Sequence, residues 1–405
     1  MSKFIDELTL SRTIAWNTCW SIWAVGPRTF FRQRPVGVEK IPSEGPFLLL
    51  ANHTSLFDPA WAAFHIGRPT NFMASTQLFR VPVLGTLCAR LGAFPKAKFV
   101  KDRDSMATLS RRYELGQPVV LFPEGERTWD GRQLPILPGI ARLIKRLNAR
   151  VVYCRIKTGH LQHPRWASHP RFVPVEMEYD GPYTYAPDIS DAALVEEVSR
   201  RLTVDPLPAV PPGSWGHKLA HGLPDLLWAC PACLAMGVIT VHPKNDDAVR
   251  CRSCERSWRL DLAGRLHPLG GGAEPMDVPA ATDRIAAAYG DPPISDAGLY
   301  ESDGIILRGE RMTIGEIPRG ERTPRPVASG TALLTPEHLA LLDDGGGEVW
   351  RLELHEVQAV STELANLLQV RLPDRLLQLT PHGQSPLLWN HFLKPWRERA
   401  SPTAD

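Results

Sequence analysis

The chain has 405 residues, more than one ordinary domain holds, and therefore predicts two or three domains. Hydrophobic residues make up 43% of the chain and charged residues 22%, as in soluble or peripheral proteins, and a net charge of +2 gives no global basic field that would indicate nucleic-acid binding. No stretch reaches the ~20 apolar residues of a membrane-spanning helix, and the N-terminus lacks a signal-peptide pattern.

Residues 1–34 are rich in aromatic side chains and predict one or two amphipathic helices. Apolar and aromatic residues recur there largely at helical spacing: Ile14, Trp16, Cys19, Trp20, Trp23 and Phe30. Because Trp favours the membrane–water boundary, and Arg28, Arg32 and Arg34 suit anionic headgroups, we expect this segment to lie in one leaflet of a membrane. The alternative is a helix whose Trp residues pack in the core of the following domain.

Buried apolar runs alternate with helical patterns between residues 35 and 205. The predicted strands are 47–51, 119–122 and 151–154, and the predicted helices are 59–66 and 140–147. This alternation predicts an α/β domain, for which we expect a mixed sheet. Polar motifs follow the first two strands directly, at the edge where open α/β sheets usually place ligands.

The first of these motifs, Asn-His-Thr-Ser-Leu-Phe-Asp at 52–58, contains an imidazole and a carboxylate. A neutral imidazole can take the proton of a hydroxyl as it attacks, and a carboxylate on the other ring nitrogen fixes the tautomer. Five positions on a regular helix would separate His53 and Asp58 by about 140°. We therefore expect His53 in a turn and Asp58 at the start of a helix, with Pro59 next. The alternative is that Asp58 only caps the helix.

The second motif is Phe-Pro-Glu-Gly-Glu-Arg at 122–127. Together the two motifs resemble the first and third blocks of the glycerolipid acyltransferases of the 1-acylglycerol-3-phosphate type, over roughly residues 35–185. The resemblance implies that His53 is the general base and Asp58 its partner, and that Glu124, Gly125 and Arg127 bind the acceptor.

The middle block of that family matches this sequence more loosely. Its arginine, which also meets the acceptor phosphate, corresponds to Arg103, and Lys101 competes for the same role. A solvated surface charge is the alternative interpretation of Arg103. The residue after the Glu-Gly pair, which is usually a small hydroxyl residue in the family, is Glu126 here. An acid at that position would weaken the binding of an anionic acceptor.

The resemblance implies transfer of a fatty acyl group from acyl-CoA or an acyl-carrier protein to the hydroxyl of a lysophospholipid or glycerol phosphate. It also implies a peripheral or monotopic protein at the cytoplasmic face of a membrane, with membrane lipids as partners. A Gly-x-Ser-x-Gly elbow is absent from the sequence, which disfavours a serine hydrolase. The rival hypothesis is a catalytically inactive acyltransferase-like scaffold that binds lipid or protein.

Four of the seven cysteines form two Cys-x2-Cys pairs, which are Cys230 with Cys233 and Cys251 with Cys254. This spacing fits a tetrahedral four-thiolate zinc site of the ribbon type, and we interpret the zinc as structural. Unliganded thiols are the alternative, and His242 could replace one ligand. Paired knuckles in an odd count of cysteines indicate a reducing compartment rather than a disulfide framework.

The C-terminal part changes to a strand-like period from Gly304 onward. The predicted strands are 305–314, 328–342, 349–354, 367–372 and 376–380, followed by a helix over 385–399 with Leu388, Phe392 and Trp396 on one face. Several strands and one closing helix resemble a pleckstrin-homology or GRAM-type barrel, so we expect a mainly-β, barrel-like domain.

The predicted domain order is therefore N-terminal helices (1–34), acyltransferase domain (35–205), linker (206–229), zinc ribbon (230–267), linker (268–302) and PH/GRAM-like domain (303–400). Basic residues around the ribbon leave a nucleic-acid protein as a further alternative. Acidic residues interleave with them and Trp258 is the one apparent stacking residue, so we expect no nucleic-acid partner.

Overall fold

The computed structural model describes residues 12–21, 32–76, 78–80, 82–96, 103–270, 274–289, 304–318, 323–363 and 366–400. The chain divides into two compact units. The first comprises Met1–Arg165, His169–His217 and Leu262–Gly264, and the second comprises Trp166–Ser168, Lys218–Asp261 and Arg265–Asp405. The main division, at residues 217 and 218, falls inside the predicted linker 206–229.

The first unit contains an α/β layer structure. Its elements are α1 (12–21), β1 (Arg34–Val36), β2 (Leu48–Ala51), α2 (Asp58–Phe64), β3 (Asn71–Ser75), α3 (Pro82–Arg90), β4 (Ala93–Lys96), α4 (Arg103–Glu114), β5 (Val119–Leu121), α5 (Gly139–Arg146), β6 (Val151–Ile156), α6 (Gly159–Gln162), β7 (Glu176–Tyr183) and α7 (Asp191–Leu202). Short 3-10 turns lie at Val38–Lys40 and Leu78–Arg80.

The seven strands of this unit form one sheet in the order β1-β7-β6-β2-β5-β3-β4. Strand β2 lies between β6 and β5 and is parallel to both, whereas β7 is antiparallel to β6. The sheet is therefore mixed, as expected, and the three strands predicted from apolar runs are its three central ones.

Strand β2 shows why its sequence is apolar throughout. Leu48 and Leu50 belong to one hydrophobic cluster, on the face that also holds residues of α5 and α7. Leu49 and Ala51 belong to the cluster on the opposite face, which contains Trp61 of α2. Since side chains alternate across a strand, a strand covered by helices on both faces has no position for a polar residue.

Helix α1 packs on the first unit, and Arg12 and Trp16 make its most buried contacts. The Arg12 guanidinium donates hydrogen bonds to Gln117 Oε1 at 3.1 Å and to Asn71 Oδ1 at 2.7 Å. Trp16 is buried, with its ring centroid 6.4 Å from that of Phe72. This part of the N-terminal segment therefore contributes to the core, as the alternative interpretation of the sequence expected.

Ile14 of α1 faces solvent and is 56% exposed. Trp20 is 37% exposed, but its indole N–H donates a hydrogen bond to the Phe64 carbonyl at 2.9 Å and its ring stacks on that of Phe64. Trp23, Arg28 and Phe30 lie outside the described residues. Membrane contact by residues 1–34 stays a prediction. Within the described ranges, no helix combines the length and the apolar character that crossing a bilayer takes.

The second unit contains two further sheets. Its elements are α8 (Leu223–Leu226), β8 (Ile239–His242), β9 (Asn245–Cys251), β10 (Ser257–Leu260), β11 (Arg265–Pro268), β12 (Met276–Asp277), α9 (Val278–Tyr289), β13 (Leu307–Pro318), β14 (Arg325–Leu334), β15 (His338–Leu342), β16 (Glu348–Glu353), β17 (Ala359–Glu363), β18 (Leu367–Arg371), β19 (Arg375–His382) and α10 (Pro386–Ala400), with a 3-10 turn at Leu354–Glu356. One sheet has the order β12-β11-β10-β9-β8 and the other the order β16-β15-β14-β13-β19-β18-β17.

The seven-stranded sheet of this unit is antiparallel and open rather than a closed barrel. Among the described residues, β16 and β17 end the strand order without pairing to each other. Helix α10 packs instead against β17 and the turn at Leu354–Glu356, and its Trp389 and Phe392 are buried. The helix thereby covers the edge that barrel closure would have joined.

Two details of this sheet differ from the sequence expectation. The segment 328–342, predicted as one strand, belongs to β14 and β15, which pair as a hairpin. Strand β17 was not predicted. Its residues Ser361, Thr362 and Glu363 are buried although polar, so the hydrophobic pattern did not indicate a strand there.

An aromatic cluster joins Trp228, just before the first cysteine pair, to helices α9 and α10 of the second unit. The ring centroid of Trp228 lies 4.9 Å from that of Tyr289 in α9 and 6.1 Å from that of Phe392 in α10. The Tyr289 hydroxyl donates a hydrogen bond to the carbonyl of Leu234, which follows the first cysteine pair. The packing of both helices thus depends on the conformation of the ribbon.

Candidate active site and cysteine cluster

Three loops converge at one edge of the mixed sheet in the first unit. They leave the carboxyl ends of the central strands β2, β5 and β6, and they carry residues 52–58, 122–137 and 157–165 respectively. Asn52 links two of these strand ends. Its amide donates to the carbonyl of Ile156 at 3.1 Å and accepts from the N–H of Ile156 at 2.7 Å.

His53 and Asp58 are in direct contact at this edge. His53 Nδ1 lies 3.0 Å from Asp58 Oδ2, and the same oxygen accepts the N–H groups of Thr54 at 2.6 Å and Ser55 at 2.7 Å. Helix α2 begins at Asp58, with Pro59 in its first turn, but the Asp58 carboxylate turns back to the preceding loop and does not cap the helix. The cap interpretation of this residue is therefore wrong.

These contacts define the tautomer of His53. An ionised carboxylate only accepts hydrogen bonds, so Nδ1 carries the proton toward Asp58 and Nε2 keeps a lone pair. The ring stacks on Phe122, with centroids 4.1 Å apart. Burial lowers the pKa of His53 below its ordinary value of 6.5; Asp58 opposes the shift, and the positive charges of Arg127 and Arg165 add to it. The imidazole is therefore neutral at pH 7.

Glu124 ties the two motif loops together. Its Oε1 accepts the backbone N–H of His53 at 2.9 Å, and its Oε2 accepts that of Leu134 at 2.8 Å. Both oxygens thus accept hydrogen bonds within the protein. The predicted contact of Glu124 with the acceptor stays a prediction. Burial raises the pKa of Glu124 to about 7, although both backbone donors oppose the shift.

The turn after Glu124 requires glycine. Gly125 has a φ of +80°, and a Cβ at this position would lie 2.7 Å from the Leu137 side chain. The turn leads to Arg127, whose side chain is partly buried and whose charge lowers the pKa of both His53 and His163. His53, Asp58, Glu124, Gly125 and Arg127 are thus brought together in one site.

The structure says little about the two predicted phosphate-binding residues of the looser middle block. Arg103 is the exposed first residue of α4, and Lys101 lies outside the described residues. Their predicted phosphate contacts stay predictions.

The comparisons with known proteins concern this same region. Residues 33–157 match the family model described as Acyltransferase. Residues 33–157 are an acyltransferase domain. The chain is 30% identical over 137 residues to the chloroplastic 1-acyl-sn-glycerol-3-phosphate acyltransferase BAT2 of Brassica napus, covering 33% of this chain and 39% of that protein. It is 31% identical over 117 residues to the chloroplastic 1-acyl-sn-glycerol-3-phosphate acyltransferase LPAT1 of Arabidopsis thaliana, covering 28% and 32%.

Among the solved structures, one match has a lower sequence identity than the plant relatives. The crystal structure of the 1-acyl-sn-glycerophosphate acyltransferase PlsC from Thermotoga maritima has a TM-score of 0.39 and 22% identity, and the match covers 49% of this chain and 82% of that one. The chain spans about two fifths of the Brassica protein and a third of the Arabidopsis protein.

Two further residues, which the sequence did not indicate, contact the motif loops of this domain. Arg165 is buried and lies 3.2 Å from Glu126, although 38 residues separate it from Arg127 and no motif contains it. His163 is in edge-on contact with Phe57, at 5.5 Å between ring centroids, and burial together with Arg127 and Arg171 lowers its pKa to about 4. Sequence spacing carries no signal for either residue.

Gly159, the first residue of α6, closes the site behind Asp58. A Cβ at this position would lie 2.6 Å from Thr54 Oγ1 and 3.0 Å from Asp58 Oδ1. The close approach of α6 to the acidic residue therefore depends on the missing side chain.

The second unit brings the four paired cysteines into one cluster. Their sulfur atoms all lie within 4.8 Å of one another, with Cys230 and Cys254 at 3.8 Å and Cys233 and Cys251 at 3.7 Å. Sulfurs bound to a tetrahedral zinc at about 2.3 Å lie ~3.8 Å apart, so the four thiols fit a metal ion. His242 is no part of the cluster, because its Nδ1 accepts the backbone N–H of Lys244.

Proposed function

We propose that the protein transfers a fatty acyl group from acyl-CoA or an acyl-carrier protein to the hydroxyl of a lysophospholipid or glycerol phosphate. The observation that carries the proposal is the hydrogen bond between the partly buried His53 and the buried Asp58, next to Glu124, in a domain that matches the acyltransferase family model. The two plant relatives are named as 1-acyl-sn-glycerol-3-phosphate acyltransferases, which supports a glycerolipid acceptor.

The geometry supports direct transfer with His53 as the general base. His53 Nε2 takes the proton of the acceptor hydroxyl while that oxygen attacks the thioester carbonyl carbon and forms the new C–O bond. Asp58 holds the ring through Nδ1 and stabilises the imidazolium. The C–S bond then breaks, and the imidazolium returns its proton to the thiolate of the donor. No covalent acyl-enzyme is required.

The remaining residues of the site position the groups and bind the acceptor. Glu124 fixes the backbone of His53 against the loop at Leu134. Arg127, held after the tight turn at Gly125, supplies a guanidinium for the acceptor phosphate, for which its forked donors are suited. Arg103 and Lys101 are the further candidates for that phosphate.

The second unit is proposed as an accessory part. The cysteine cluster fits structural zinc, which would be held by Cys230, Cys233, Cys251 and Cys254 with no ligand position open. The strand order of the seven-stranded sheet and the packing of α10 support a PH/GRAM-like module. Such a module and the N-terminal segment would hold the enzyme at the cytoplasmic face of a membrane.

An acyl-transfer assay with the purified full chain tests the function. We expect product from at least one of lysophosphatidate, glycerol 3-phosphate and lysophosphatidylcholine, with acyl-CoA or acyl-carrier protein as donor. The His53→Ala variant should lose about 10²- to 10⁴-fold in kcat, because it lacks the base. The matched control is His221→Ala, which removes a His–Asp pair of 2.9 Å from the second unit and should leave kcat unchanged.

A wild-type chain that acylates none of these acceptors, while remaining folded, would favour the inactive scaffold. Equal rates for the wild type and His53→Ala would exclude this mechanism. Glu126, the acid that would weaken the binding of an anionic acceptor, lies 3.2 Å from Arg165 and is therefore paired within the protein.

A further inference from the structure

The acid in the acceptor-binding loop has a partner from a distant part of the chain. Glu126 Oε2 lies 3.2 Å from Arg165 Nη1, in the loop after α6. The Arg165 side chain is 3% exposed and that of Glu126 is 36% exposed. The pair therefore joins a buried cation to a carboxylate at the rim of the site.

The same guanidinium contacts the loop at two more points. Arg165 Nη1 donates a hydrogen bond to the backbone carbonyl of Arg127 at 2.7 Å. The guanidinium carbon lies 4.5 Å from the ring centroid of Trp129, in the geometry of a cation–π contact. One side chain thus holds the loop through Glu126, Arg127 and Trp129.

The burial of Arg165 determines what it can do. A side chain that is 3% exposed and already bonded to the loop has little surface left for a lipid headgroup. Arg127, by contrast, is only partly buried. An unpaired carboxylate at Glu126 would draw the Arg127 guanidinium toward itself and repel an anionic acceptor.

We propose that Arg165 is a positioning residue for the acceptor site, which neutralises Glu126 and fixes the backbone of Arg127 so that the Arg127 guanidinium can meet an anionic headgroup. The inference rests on the proposed function. It explains how this chain tolerates an acid at the position that the resembled family fills with a small hydroxyl residue.

The test is a double-mutant cycle on Arg165→Met and Glu126→Gln, assayed with lysophosphatidate in mixed micelles and a saturating acyl donor. Arg165→Met should raise the KM for lysophosphatidate at least about tenfold and change kcat less than about threefold. Glu126→Gln alone should change KM little. The double variant should return KM to within about threefold of the wild type, because it removes the Glu126 carboxylate that Arg165→Met leaves without its cation.

Arg201 offers the matched control pair. It contacts Glu197 at 2.5 Å and lies 3.7 Å from the Tyr183 ring centroid, and its side chain is 17% exposed. Arg201→Met with and without Glu197→Gln should lower thermal stability without a selective change in KM. Should Arg165→Met fail to fold, Arg165→Lys keeps the charge but loses the fork, and its KM should rise less than tenfold and respond to Glu126→Gln in the same direction.

Two kinds of loss in Arg165→Met would overturn the inference. One is a loss confined to kcat, and the other is a raised KM that Glu126→Gln leaves unchanged, since both indicate a role other than compensation of that acid. An inactive wild-type chain overturns the proposed function and this inference together. An active wild type with an unchanged KM in Arg165→Met and Arg165→Lys overturns only the inference.

Discussion

At the scale of single residues, Glu124 is the carboxylate whose protonation the structure makes relevant near neutral pH. Its two oxygens each accept one backbone N–H, and an ionised carboxylate accepts such bonds more strongly than a carboxylic acid, whose hydroxyl oxygen is the weaker acceptor. Burial raises its pKa from 4.5 to about 7. Protonation between about pH 7 and 4.5 therefore favours the folded chain, which binds the proton first, but it weakens one of the two hydrogen bonds that join the loops.

We accordingly expect kcat/KM to fall as the pH decreases through about 7, the pKa of Glu124. In Glu124→Gln an amide NH₂ faces a backbone N–H, so one of the two hydrogen bonds to this side chain is lost. The loss destabilises the loop by about 1–3 kcal/mol and should lower kcat roughly ten- to a hundredfold. The residual activity of that variant should keep an acid limb only below pH 6.5, set by His53. A pH–rate profile of the two proteins measures this, and identical acid limbs would contradict the role given to Glu124.

Gly159 gives a second prediction at this scale. In Gly159→Ala the new methyl group would meet Thr54 Oγ1 at 2.6 Å and Asp58 Oδ1 at 3.0 Å, which would displace the carboxylate from His53. We expect kcat to fall at least about tenfold with a smaller change in KM. Gly139→Ala is the control, since Gly139 also begins a helix and has open space around its Cβ position. Wild-type kcat in Gly159→Ala would contradict this prediction.

Sequence patterns could identify His53, Asp58 and Glu124 because the motif residues lie within two short loops. They could not predict the contacts of Glu124. A glutamate in a motif has the same sequence signal whether its carboxylate contacts a ligand or accepts a backbone N–H. Arg165 was beyond sequence reasoning for a different cause. Its partners at 126–129 become neighbours only when the loops that follow β5 and β6 meet at the same edge of the sheet.

At the scale of elements, the central strands of the mixed sheet in the first unit were predictable and its peripheral strands were not. Strands β2, β5 and β6 are buried on both faces, so their apolar runs stand out in the sequence. Strand β7 alternates Glu176 and Glu178 with buried residues, and β3 begins with the buried Asn71. Strand β1 pairs with β7 across about 140 residues, and no local pattern records that pairing.

The cysteine ribbon was predictable for a similar reason. Two close pairs of one residue type indicate a shared ligand, whatever the strands between them do. The sequence did not indicate what the ribbon supports. Its Leu234 carbonyl accepts the Tyr289 hydroxyl, and Trp228 contacts both α9 and α10. The predicted linker 268–302 thus contains β12 and α9. Tyr289 of α9 contacts the segment that follows the first cysteine pair.

At the scale of the whole molecule, the two units predict separable responses to metal removal. Zinc would cross-link Cys230 and Cys233 to Cys251 and Cys254. Because Trp228 packs against α9 and α10, the bound metal would also stabilise the packing of these two helices. We expect native mass spectrometry to find one zinc per chain. A chelator should lower the thermal transition of the second unit by several degrees, because a metal that binds only the folded state stabilises it by mass action.

Calorimetry of the full chain measures this effect, with Cys251→Ser as a metal-free reference. Its matched control is Cys88→Ser, which removes a half-buried thiol from the first unit and should leave both the zinc content and the chelator response unchanged. The transition of the first unit should stay in place in Cys251→Ser, because the described contacts of the ribbon that hold α9 and α10 lie within the second unit. A chain that contains no zinc, or whose transitions ignore both the chelator and Cys251→Ser, would remove the basis for a structural metal.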